Sequence, residues 1–126
     1  MGITGFDHIV LAVDDVEATI DFYEKVLDMT AVEHIPGKWA LRFGSHKISL
    51  QPAEHRPPMA IGTTPGSGNF CVLSDEPVQD LAKRLTDLDV PIEAGPVEKV
   101  GATGSILSVY FRDPDGNLVE VSNSLA

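Results

Sequence analysis

Apolar and polar positions alternate most cleanly at the C-terminal end of the chain, in Tyr110–Ser122, YFRDPDGNLVEVS. Leu107, Val109 and Phe111 lead in, an Asp-Pro-Asp-Gly turn follows at Asp113–Gly116, and Leu118–Val121 leads out. Pro presets its φ and Gly accepts φ > 0, so the stretch predicts a β-hairpin. In its second strand Val119 and Val121 face one way, and Leu118, Glu120 and Ser122 face the other. A carboxylate in the middle of a short apolar strand is costly to bury without a partner. Glu120 therefore predicts one.

The same reasoning orders the rest of the chain. Phe6–Val13 predicts a strand with Ile9, Leu11 and Val13 on one face and His8, Val10 and Ala12 on the other. Asp14 or Asp15 caps a helix whose stripe is Val16, Ile20, Tyr23 (or Phe22) and Leu27. Strands follow at about Ala31–His34, Trp39–Phe43 and His46–Gln51. Pro52–Gly68 has no sustained period and reads as a connector. The pattern then begins again. Asn69–Ser74 is a strand, and Asp75 and Glu76 introduce a helix with Pro77 in its first turn. Val78, Leu81, Leu85 and Leu88 form its stripe. Strands come next around Ile92–Ala94 and Ile106–Arg112, separated by a Gly95–Ser105 loop, and the hairpin closes the set. This predicts an α+β chain of two βαβββ modules, at about 4–52 and 69–122, joined by a connector at about 53–68 within one domain. The two halves align with His8 on Asn69, Asp14 on Asp75, Ile20 on Leu81 and Leu27 on Leu88, and a one-residue difference in the last hairpin puts Gln51 on Glu120.

Composition narrows the class. The 126 residues suffice for a core without staples, and the net charge of −10 speaks against a nucleic-acid or membrane-surface partner. One cysteine, Cys71, excludes an internal disulfide and fits a reducing compartment. No apolar run approaches a membrane span and the N-terminus has no signal-peptide pattern, so the expectation is a cytoplasmic protein.

Two βαβββ units, a His in the first strand, FDHIVLAVDDVEATIDFYEKVLDM, and VYFRDPDGNLVEV near the end together resemble the vicinal oxygen chelate superfamily over about residues 4–122. That group includes glyoxalase I, fosfomycin-resistance proteins, extradiol dioxygenases and bleomycin-binding proteins. The nearest likeness is to small glyoxalase-domain-containing and virulence-associated glyoxalase-like proteins, with a role in detoxification. The resemblance implies a curved mixed sheet around a cavity, helices outside, a divalent metal, a small-molecule substrate and a homodimer. Its ligand positions fall on His8, Gln51, Asn69 and Glu120. His8 and Glu120 match the family's pattern, Gln51 is acceptable through its amide oxygen, and Asn69 departs where a His is common.

One imidazole, one carboxylate and two neutral amides carry a single negative charge and no thiolate. That set disfavours a tight structural zinc site and suits a replaceable ion with several waters, such as Mn, Mg, Ni or weakly held Zn. It also disfavours non-haem iron oxygenation, which wants two histidines, although His55 in the connector is a further His. Trp39, Arg42, Tyr110 and Arg112 are candidates for the cavity wall or rim, each Arg being either an anion partner or half of a surface ion pair. The expected activity is glyoxalase I-like chemistry on a small oxygenated electrophile, with glutathione as a cosubstrate and Glu120 as the base. Epoxide opening of the fosfomycin-resistance type and metal-free ligand sequestration of the bleomycin-binding type are the alternatives.

Overall fold

The computed structural model describes residues 2–53 and 59–126. His55 lies outside the described residues. The chain divides into two compact units, Met1–Ser67 and Gly68–Ala126.

The first unit runs β1 (Ile9–Val13), α1 (Val16–Leu27), β2 (Thr30–Ile35), β3 (Lys38–Phe43) and β4 (His46–Pro52). Its sheet has the order β1-β4-β3-β2, with β1 parallel to β4 and the other pairs antiparallel. Asp15 caps α1 by accepting from the Ala18 N–H at 3.1 Å. The buried face of α1 is Thr19, Tyr23 and Val26; of the expected Val16, Ile20, Tyr23 (or Phe22) and Leu27 stripe only Tyr23 is fully buried, and the others are half-buried. Thr19 can be buried because its hydroxyl donates to the Asp15 carbonyl at 2.9 Å. Leu11, Val13, Leu41, Ile48 and Leu50 are buried with it.

The second unit runs β5 (Asn69–Leu73), α2 (Val78–Asp87), β6 (Ile92–Val100), β7 (Ser105–Arg112) and β8 (Leu118–Ser124), in the sheet order β5-β8-β7-β6. Here β5 is parallel to β8 and the remaining pairs are antiparallel. The βαβββ duplication is therefore present, with Val78, Leu81, Leu85, Val109, Phe111, Val119 and Val121 as the second core.

Three expected boundaries differ. Strand β1 begins at Ile9, so Phe6–His8 precede the sheet and Phe6 is exposed. Pro77 is the N-cap of α2 instead of lying in its first turn, and it offers no side-chain cap. Asn123 supplies the cap from β8: its Oδ1 accepts from the Val78 N–H at 2.8 Å, and its Nδ2 donates to the Ser74 and Glu76 carbonyls. Most of the expected Gly95–Ser105 loop is strand. Edge strand β6 continues to Val100, with register shifts around Gly95 and Pro96 that keep the proline out of the ladder.

Candidate functional site

The DPDG segment is a self-contained turn. Asp113 accepts from the backbone N–H groups of Asp115 and Asn117 and from the Asn117 amide, while Asn117 Oδ1 accepts from the Gly68 N–H at 2.6 Å. With Asp113 and Asn117 buried, the turn positions the start of β8 beside β5.

That placement puts Glu120 across from Cys71 on one side and Tyr110 on the other. Strand alternation brings Cys71, Ser108, Tyr110, Glu120 and Ser122 onto one face, opposite buried Val119 and Val121. Ser108 and Ser122 are fully buried. The Ser108 hydroxyl donates to Glu120 Oε2 at 2.6 Å, Ser108 and Ser122 Oγ lie 2.6 Å apart, and Cys71 Sγ lies 3.2 Å from Ser122 Oγ. Among the described residues no Lys or Arg forms an ion pair with Glu120. The partners of this carboxylate are hydroxyls.

The electrostatics of this face follow from partial burial around one negative charge. Burial pushes the Tyr110 phenol up, and its hydrogen bond with Glu120 and the Glu120 charge push it further. Burial likewise raises the Cys71 thiol, Glu120 adds to the rise, and the hydrogen bond with Ser122 opposes it. Both groups therefore keep their protons at neutral pH. The Lys99 ammonium lies 5.9 Å from the centre of the Tyr110 ring.

The first unit offers less. His8 is partly exposed, and its Nδ1 lies 2.7 Å from Asp7 Oδ2, so its Nε2 is turned away from the pair. The hydrogen bond to His8 and its charge lower the Asp7 carboxyl. A carboxylate on one ring nitrogen is the support that metal-binding histidines usually have.

The ladder registers correct one expected correspondence. Glu120 pairs with Cys71, whereas Gln51 pairs with Ala12. With His8 set on Asn69, Cys71 falls on Val10, whose ladder partner is Ser49. Ser49, and not Gln51, is thus the counterpart of Glu120, and Gln51 matches Ser122. Alignment of the hairpins by sequence missed this because the register is set by which residues pair, and loop length does not reveal that.

The candidate wall residues also separate. Trp39 falls on the face of Leu41 and Ile48, opposite Arg42, Ser49 and Gln51. Arg42 is exposed across from Lys47. Arg112 shares the face of Tyr110 and Glu120, but its Nε donates to Glu93 at 2.8 Å and its Nη1 to the Gly116 carbonyl, which is the ion-pair reading. Ser108 and Ser122 were not among the expected site residues. Their only sequence signal is that they share parity with Tyr110 and Glu120.

Among the described residues no group of three or more His, Cys, Asp and Glu side chains is placed to hold a metal ion. The four donors expected from the sequence carry one negative charge and no thiolate, a set that would suit a weakly held ion completed by water and not a closed zinc site.

The sequence profile of the Glyoxalase/Bleomycin resistance protein/Dioxygenase superfamily matches residues 5–121. The chain belongs to this superfamily. The virulence protein STM3117 of Salmonella typhimurium is 45% identical over 97% of this chain and 85% of its own length. Its crystal structure superposes with a TM-score of 0.95, covering 99% of this chain and 100% of that one. The glyoxalase domain-containing protein RDO1 of Mycosarcoma maydis is 40% identical over 98% of this chain and 70% of its own length. A lactoylglutathione lyase from Agrobacterium tumefaciens shares the superfamily's fold at a TM-score of 0.74 and 26% identity, over 98% of this chain and 96% of that one. No helix among the described residues is long and apolar enough to cross a membrane.

Proposed function

We propose that the protein is a glyoxalase-type enzyme acting on a small oxygenated electrophile, with Glu120 as its acid–base carboxylate. The observation that carries this reading is the setting of Glu120. It is half-buried between two core valines, it is held by a buried hydroxyl, and it has no ion-pair partner among the described residues. A carboxylate kept only for the surface would be exposed or matched with a cation.

The donors the two units offer to a divalent ion are His8 and Gln51 from the first, and Asn69 and Glu120 from the second. When bound, the ion supplies Lewis-acid polarisation of substrate oxygens. The rest of the work falls to the chain's own groups. Glu120 takes a proton from the carbon beside a carbonyl and returns it. The Ser108 hydroxyl holds one of its oxygens. Tyr110 and Cys71 stay neutral beside it, so they add no negative charge that would repel an anionic intermediate. The substrate class that suits this chemistry is an aldehyde–thiol adduct, with glutathione as the thiol.

The test is turnover of the glutathione–methylglyoxal adduct in the presence of Mn, Ni, Zn or Mg. Wild-type protein should be active, and Glu120→Gln should lose activity by orders of magnitude while remaining folded. Full activity in the variant would rule out the base role. A second reading, ligand sequestration without a metal, draws support from Ser49 at the position that corresponds to Glu120, together with Asn69. It predicts small-molecule binding unaffected by chelators.

A further inference from the structure

Glu120 is backed by two hydroxyls with no exposure at all. Ser108 and Ser122 face each other across the β7–β8 ladder, two pairs along from Tyr110 and Glu120 and on the same face. Counting protons fixes the direction of their hydrogen bonds. An ionised carboxylate only accepts, so the Ser108 proton goes to Glu120 Oε2 at 2.6 Å. Having spent its one proton, Ser108 must accept in the 2.6 Å contact with Ser122. Ser122 Oγ is also 3.4 Å from Glu120 Oε2, and the shorter contact claims its proton.

We infer that Ser108 is a positioning residue for Glu120, at the head of a directed relay Ser122→Ser108→Glu120 that anchors Oε2. The inference deepens the reading of Glu120 as the reactive carboxylate and rests on it for its functional meaning. Geometrically it stands on the burial of both serines. A buried hydroxyl at this position serves no core packing that Ala would not serve, and each donor in the series polarises the next.

The experiment reads Glu120 directly, in the absence of metal. The carboxylate stretch of Glu120 is isolated as the infrared difference between ¹³C-glutamate-labelled wild type and Glu120→Gln. Ser108→Ala should displace that band, and Ser108→Thr, which restores a hydroxyl, should return it. Ser122→Ala should move it part of the way, which keeps the test available if Ser108→Ala fails to fold. A band that stays in place in Ser108→Ala, or in Ser122→Ala if that variant has to stand in, overturns the inference. Mn(II) titration then gives the functional arm: Ser108→Ala should weaken binding about 10–100-fold, with recovery in Ser108→Thr. If Glu120→Gln binds Mn(II) as wild type does, the ion-binding reading of Glu120 fails, while the infrared band still decides the role of Ser108.

Discussion

Tyr110 and Glu120 stand directly opposite each other in the β7–β8 ladder, and burial together with the facing carboxylate pushes the pKa of the phenol up. The pair defines the polar strip of the second unit, and Cys71 lies on the other flank of Glu120.

The thiol gives the first prediction. Burial and the Glu120 charge hold Cys71 above its ordinary value, so little thiolate exists at neutral pH. Alkylation by iodoacetamide at pH 7 should be slower than for a free cysteine. It should quicken in Glu120→Gln, because removing a negative charge lowers the thiol. Unchanged rates would contradict the proposed electrostatic coupling.

Asn123 gives the second. Its Oδ1 caps α2 by accepting from the Val78 N–H, and its Nδ2 donates to the Ser74 and Glu76 carbonyls. Asn123→Ala should cost about 1–2 kcal/mol in urea unfolding, the range for a lost cap.

Gly95 gives the third. Its φ is +98°, and a Cβ there would overlap the carbonyl oxygen of Ser108. Gly95→Ala should destabilise by about 2 kcal/mol or more, from the left-handed backbone and the clash together. The sequence marked Gly95 only as the start of a loop. Its real constraint is the close approach of β7, which no local pattern reveals.

That contrast describes what was legible more generally. Alternation and helical period located both βαβββ units and the face of Glu120, because a half-buried strand must alternate. They misjudged features set by pairing across strands. Ser49 as the counterpart of Glu120 follows from a ladder register, Trp39 on the opposite face from Arg42 was overlooked although parity contained it, and the Asn123 cap spans 45 residues. Alternation puts Ser122 on the face of Glu120, but neither it nor Ser108 carries a chemical mark until its burial and neighbours are known.

Glu76 and Arg84 give the fourth prediction. Two hydrogen bonds of 2.7 and 2.8 Å join them and hold the Glu76 carboxyl below its ordinary value. A depressed folded-state value means that the stabilisation is present above the unfolded carboxyl's pKa. It is lost as the pH falls through the folded one. Both side chains are about one-third exposed, so Glu76→Gln should cost about 0.5 kcal/mol at pH 7. The difference from wild type should vanish on acidification, as followed by thermal unfolding across pH.

The measurement that bears most directly on the role of Glu120 is a thermal shift on adding Mn, Ni, Zn or Mg to wild type and to Glu120→Ala. An ion that binds only the folded protein stabilises it by about 2.7 kcal/mol at roughly 100 times its Kd. We expect a metal-specific rise in the melting temperature of wild type that disappears in the variant. An equal rise in both proteins, or none in either with any of the four ions, would contradict the assignment of Glu120 as a metal-binding carboxylate.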